Sequence, residues 1–268
     1  MAGARLSGDE RMKPSSIVIA ALVLLGSAPL WGATQPWPPN DPNRPQPSRM
    51  PVAAAILDLP PPPDAVRLFD GRGLSQWNLA ADPHGGWHVS HGLMLPGGKV
   101  FNWLFSRRRF GSVQVHLEYR EPNPPAGSGQ ERGNSGVRLM GVYEIQILDA
   151  EHNQTYADGL PGAVYGQTPP AVVPLMRPGA WQSLDILFEA PRFAGTRLLR
   201  PAYVTVLLDG IVVQDHQEIF GDTSANKVPL GYATHAERGP IGLQDHGQPS
   251  SLVAFRDIWV RPLHPHGR

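Results

Sequence analysis

The sequence predicts an all-β protein, a two-sheet antiparallel sandwich of jelly-roll type. Three observations predict it. Apolar and polar residues alternate with period two through residues 66–263, no segment there carries a sustained helical stripe, and glycine punctuates the region as turn residues do.

The elements follow in order. A basic leader (Arg5, Arg11 and Lys13, diluted by Asp9 and Glu10) precedes an apolar run from Ile17 to Ala33 whose unbroken core ends at Leu25. That core is short for a bilayer-spanning helix. Residues 1–33 therefore read as an export signal cleaved after Ala33, although Trp31 stands where a small residue is preferred. The expected destination is the periplasm or the cell exterior, with no stable membrane insertion once the signal is removed. The chain has no cysteine, which excludes both a lipid-anchored lipoprotein and a disulfide framework. Residues 34–65 are rich in proline, which removes backbone donors and favours extended chain, so they read as a linker. The apolar island Val52 to Leu57 is read as part of it. Residues 66–263 are the expected sandwich domain and 264–268 a tail; about 200 residues is a single-domain size for such a fold.

Within the domain, "SVQVHLEYR" places Val113, Val115, Leu117 and Tyr119 on one face and Gln114, His116, Glu118 and Arg120 on the other. The polar set is expected to form a solvated ladder of ion pairs, His116 less firmly than Glu118 and Arg120. "GVRLMGVYEIQIL" continues the pattern, with Tyr143, Ile145 and Ile147 opposite Glu144 and Gln146. "WQSLDILFEA", "AYVTVLLDGIVVQDH", "IGLQDHG" and "VAFRDIWVRPL" have the same texture, and Asp209-Gly210 is a strong two-residue hairpin signal. The formal net charge is zero, which argues against a nucleic-acid partner.

Three stretches carry candidate chemistry. In "YEIQILDAEHNQTYADG" Glu144 and Gln146 share a face, whereas Asp149, five residues on, points the other way in a regular strand. Only a bulge or the strand end would bring the two acids together as a glycosidase pair. "LQDHG" sets Gln244 and His246 on one face and Asp245 on the other; the earlier "QDH", Gln214 to His216, reads as a strand-end feature. "ERGNSGVRLMG" brings Asn134 and Arg138 to a strand mouth, where amide and guanidinium groups suit hydroxyl and carbonyl recognition. The acids and histidines show no compact metal-ligand spacing.

Six stretches together resemble a known family: "VRLFDGRGLSQWN", "GNSGVRLMGVYEIQILD", "YADGLPGAVYGQTPP", "WQSLDILFEAPRF", "VTVLLDGIVVQDH" and "GPIGLQDHG…FRDIWVRPL". In this order they are similar to the 3-keto-disaccharide hydrolase domain, over about Val66 to Leu263. The resemblance implies a concanavalin A-like fold and cleavage of glycosides already oxidised at sugar carbon 3. It implies Glu144 or His246 as general base and Asp149 as orienter or metal ligand. Gln146, Asn134 and Arg138 would hold the ketone or sugar hydroxyls, with Gln244, Asp245 and Tyr143 as second choices. His152 and Tyr156 would reach the sugar from a covering loop. A divalent metal that polarises the ketone is compatible with these residue types. Two departures stand out: the Arg-rich stretch Arg107 to Arg109 and the long insert "PNPPAGSGQER". A non-catalytic carbohydrate-binding module and a two-carboxylate glycoside hydrolase are the alternatives.

Overall fold

A computed structural model describes residues 37–81, 86–223 and 231–263. The leader, residues 1–33, and the tail, residues 264–268, lie outside the described residues. In chain order the strands are β1 (Ser48–Pro51), β2 (Val66–Phe69), β3 (His88–Ser90), β4 (Leu93–Leu95), β5 (Phe101–Phe110), β6 (Val113–Arg120), β7 (Ser135–Leu139) and β8 (Tyr143–Ile147). They continue as β9 (Val172–Leu175), β10 (Gln182–Glu189), β11 (Arg192–Ala194), β12 (Arg197–Arg200), β13 (Ala202–Leu208), β14 (Ile211–Ile219), β15 (Gly239–His246) and β16 (Ala254–Pro262). Helix among the described residues is confined to short 3-10 turns.

The strands build the expected all-β architecture. The larger sheet runs β14-β13-β10-β6-β16-β4-β3, with β2 also on β16, and the smaller runs β5-β15-β7-β8. Pairing within both is antiparallel. Period two decides what each sheet buries. Val115, Leu117 and Tyr119 from β6, Ile186 and Phe188 from β10 and Phe255 from β16 join Val137, Tyr143, Ile145 and Leu243 of the smaller sheet in one apolar cluster. Burying one such side chain contributes about 1.5–3 kcal/mol. With no disulfide to help, this cluster carries the stability. Asp209 and Gly210 both have positive φ, 54° and 78°, the geometry of a tight hairpin whose twist matches the strands it joins.

Three expectations are corrected here. The outer polar face of β6 is not solvated: His116 and Glu118 are fully buried. Glu118 accepts from Arg256 Nε at 2.6 Å, His116 Nδ1 lies 2.8 Å from Asp185 and its ring stacks on Trp259, while Arg120 sits over the Trp181 ring. The neighbouring chain supplies the cover, for the Asp58 N–H donates to Glu118 Oε1. The early "QDH" lies within β14 rather than at its end, and the Gln214 amide donates to the carbonyls of Gly162, Thr168 and Pro169.

The third correction is larger. The proline-rich stretch is docked along its described length instead of hanging as a tether. β1 pairs in parallel with β9 over four residues. Arg44 Nη1 donates to Gln167 O at 2.7 Å, and Arg49 donates to Ala150 O and Asn153 O at 2.6 and 2.8 Å. Proline removes donors but leaves carbonyls, and the interspersed arginine and asparagine residues supply the donors that fix the strap in place. The strap lies against the loop that follows β8. The Arg49–Met50 bond is therefore expected to resist trypsin under conditions that leave the domain intact. Mass spectrometry of the digest checks this, and rapid cleavage at that bond would show a free tether.

Candidate active site

The outward face of the smaller sheet gathers the polar residues that alternation sends away from the core. Register sets them in rows. Phe105 pairs with Gly242, Gly242 with Arg138, and Arg138 with Glu144. One step along, Trp103 pairs with Gln244 and Gly136 with Gln146. The loop after β8 extends the first row, because Val164 bridges Ile145 and the Tyr165 N–H donates to Glu144 O at 3.1 Å. Tyr165 therefore stands beside Glu144 on the same face.

Glycine makes the floor. A Cβ on Gly136 would lie 2.6 Å from Glu144 Oε1, so the Glu144 side chain can fold flat across β7 only because residue 136 has none. A Cβ on Gly242 would meet the Phe105 ring at 2.7 Å and Trp103 at 3.2 Å, so both rings lie down on the sheet there. The Arg138 guanidinium rests over the Trp103 ring, 4.0 Å from its centroid.

Glu144 is 4% exposed and both its oxygens have partners. Arg138 Nη2 donates to Oε2 at 3.3 Å and Gln244 Nε2 to Oε1 at 3.2 Å. Burial pushes its carboxyl up to about 7, against the opposing pull of the guanidinium and the amide. Around it four buried polar atoms have no protein partner: Arg138 Nε, Gln146 Oε1, Gln244 Oε1 and His246 Nδ1. Orphans of this kind cost free energy unless something meets them, and four on one face mark the place of a polar ligand. Desolvation lowers the His246 pKa, which keeps the imidazole neutral near pH 7. His246 follows Gln244 by two residues, about 7 Å along the strand, the span of one sugar ring.

The rim comes from loops. Gln130 Oε1 accepts from Gln146 Nε2 at 3.0 Å, and Asn134 Nδ2 donates to Gln130 O at 2.6 Å. The Tyr156 and Tyr165 hydroxyls are 2.8 Å apart, and the charge of Glu144 contributes to raising both pKa values, after burial.

The structure thus brings together Glu144, Gln146, Arg138, Asn134, Gln244, His246 and Tyr156. It does not bring Asp149, Asp245, His152 or Tyr143. β8 keeps its register to Ile147, and Asp149 lies beyond the strand end. Its carboxylate accepts from Arg132 Nε at 2.8 Å and from the Glu151 N–H at 3.0 Å. It packs with Glu121 around Gly133, whose φ of 58° and missing side chain leave the room. Asp245 spends both oxygens on the N–H groups of Gly98 and Gly247. His152 is exposed and pairs with Glu151, and Tyr143 lies on the core face with its hydroxyl on His235. Sequence reasoning missed Gln130, Trp103 and Tyr165. Tyr165 lies in a quoted motif, but "AVY" is too short to show alternation, and Gln130 lies in the unexpected insert.

For a metal, the floor offers one carboxylate, whose oxygens meet Arg138 and Gln244, and three unpartnered neutral atoms, Gln146 Oε1, Gln244 Oε1 and His246 Nδ1. Among the described residues, the acids close enough to share an ion are Asp58, Glu118 and Asp257 on the far face of the larger sheet. Arg256 meets all three there.

A family model described as the 3-keto-alpha-glucoside-1,2-lyase-like domain matches residues 64–261. The chain belongs to that family. A solved structure from Parabacteroides distasonis ATCC 8503, titled a "putative glycosyl hydrolase", is 36% identical with a TM-score of 0.72, covering 80% of this chain and 92% of that one. Two further structures of the same description and organism are each 20% identical, with TM-scores of 0.51 and 0.53. They cover 75% and 74% of this chain and 94% and 99% of theirs, and they share the fold. No curated protein matches the chain. Family membership makes this a carbohydrate-active domain, and the strap, residues 37–51, lies outside the matched span. If the flat carboxylate is what the family site depends on, Gly136→Ala should cost about 10- to 100-fold in activity by displacing Glu144. Steady-state kinetics beside a melting curve checks it, and unchanged activity would mean the position of Glu144 is not critical.

Proposed function

We propose that the enzyme cleaves 3-keto-glycosides by removing the C2 proton, expelling the C1 oxygen and hydrating the product. The observation that supports this reading most is a single buried carboxylate, Glu144, poised near pH 7 beside a guanidinium, with neutral amides on the rest of the floor. A ketone at C3 acidifies the proton on C2. Glu144 takes that proton, and the electron pair moves into a C2–C3 enolate whose negative oxygen is met by Arg138, with its unpartnered Nε available. The enolate then re-forms the ketone, the C1–C2 double bond forms, and the C1–O bond breaks with its pair going to the leaving oxygen. Water adds across the double bond, its oxygen at C1 and a proton at C2 returned by Glu144, which closes the cycle as net hydrolysis. Gln146, Gln244 and His246 offer the unpaired atoms for sugar hydroxyls.

A two-carboxylate hydrolase would use Asp149 as the second acid, and Asp149 is engaged by Arg132 on the other side of β8. A route through one base and one cation needs no such pair.

The test is incubation of the purified protein with a 3-keto-glucoside and with its unoxidised parent. Turnover of the keto substrate alone is expected, and cleavage of the parent at an equal rate would overturn the reading. Glu144→Gln should lower kcat by about 10²–10⁴-fold. Because the carboxylate is the active form and burial raises its pKa, kcat/KM of the wild type should rise with pH and level off above about 7. A flat profile from pH 5 to 8 would remove Glu144 as the base.

A further inference from the structure

The reaction above leaves one proton without a donor, the one the departing C1 oxygen needs. We propose that Tyr165 supplies it and that Arg44, from the strap outside the family domain, positions Tyr165. This rests on the proposed reaction and extends it.

The placement comes from register. Val164 bridges Ile145 and Tyr165 pairs with Glu144, so the two side chains leave the backbone about 5 Å apart on one face. Glu144 lies flat over Gly136, while Tyr165 stands at the edge of the floor. A sugar whose C2 lies over the carboxylate has C1 as its next ring atom, within reach of a hydroxyl at that edge. Tyr165 is only partly exposed, and its hydroxyl lies 2.8 Å from that of Tyr156. With Tyr156 as donor in that pair, the Tyr165 oxygen accepts and its own proton is free for the pocket.

The strap holds the loop on both sides of Tyr165. Arg44 Nη1 donates to Gln167 O at 2.7 Å and pairs with Asp158 Oδ2 at 3.4 Å, and the Asn40 N–H donates to the same Asp158 oxygen at 3.0 Å. Asp158 is fully buried in the loop that carries both tyrosines. A segment beyond the matched domain thus fixes the stretch of loop that carries Tyr165.

The chemistry balances. In the elimination the Tyr165 O–H bond breaks and its proton goes to the oxygen released from C1, leaving a phenolate that the Tyr156 hydroxyl stabilises. In the hydration the phenolate takes a proton from the attacking water as its oxygen bonds C1, and Tyr165 is restored. No further reactant is required.

Leaving-group dependence tests the assignment. Two 3-keto-glucosides are compared, one releasing p-nitrophenol, which departs as an anion without protonation, and one releasing a simple alcohol. For Tyr165→Phe, kcat/KM on the alcohol glycoside should fall about 100-fold or more and on the nitrophenyl glycoside by less than about threefold. Arg44→Ala should show the same pattern at about tenfold, because it acts through Tyr165. Equal losses of Tyr165→Phe on both substrates would overturn the proposal, since a damaged fold or binding site does not discriminate leaving groups. No loss on the alcohol glycoside would overturn it too. Should the wild type cleave neither substrate, the reaction itself falls, an outcome separate from failure of Tyr165.

Discussion

Everything in the pocket depends on how a carboxylate is kept on the face of a β-sheet. Glu144 gives up most of its water, and that desolvation raises its pKa toward neutrality. Left alone it would simply be protonated. Arg138 and Gln244, on two other strands, each take one oxygen and restore part of the lost stabilisation. The result is a group that is basic and usable at once. Its neighbours follow from the same need: Gly136 so that the side chain can lie down, and Trp103 so that Arg138 has a surface to rest on.

The wall of the pocket is a second consequence. The loop after β8 contains little regular structure of its own, so it is held by side chains from elsewhere. Gln214 caps three of its carbonyls, Gln130 reaches Thr155 and Gly159, and the strap fixes Asp158 and Gln167. Polar groups that ordinary surface loops would leave to water are here satisfied by protein, which rigidifies the part that presents Tyr156 and Tyr165 to the substrate.

Much of the floor was legible in the sequence, and the reason is parity. Period two sends Glu144, Gln146, Arg138, Gln244 and His246 outward whatever the register, and it sends Asp149 the other way unless a bulge intervenes. β8 shows no bulge up to its end at Ile147, and Asp149 beyond it pairs with Arg132. Register between distant strands was not legible. Nothing in "FNWLF" says that Trp103 will lie opposite Gln244, or that Tyr165 will pair with Glu144 across a loop. The strap was misread for a different reason. Proline content reports missing donors, yet docking used carbonyls together with Arg44, Arg49 and Asn40, which composition does not weigh. His116 and Glu118 were placed on the correct face, but alternation cannot tell that the chain near Asp58 covers them.

The central claim is that Glu144 removes a proton from the carbon beside a ketone. Deuterium exchange measures that step without waiting for bond cleavage. Incubated in D2O, the wild type should wash deuterium into C2 of 3-keto-glucose, a sugar with no aglycone to expel, and Glu144→Gln should not. Mass spectrometry or proton NMR of the recovered sugar reads the outcome. Exchange that survives in Glu144→Gln would contradict it.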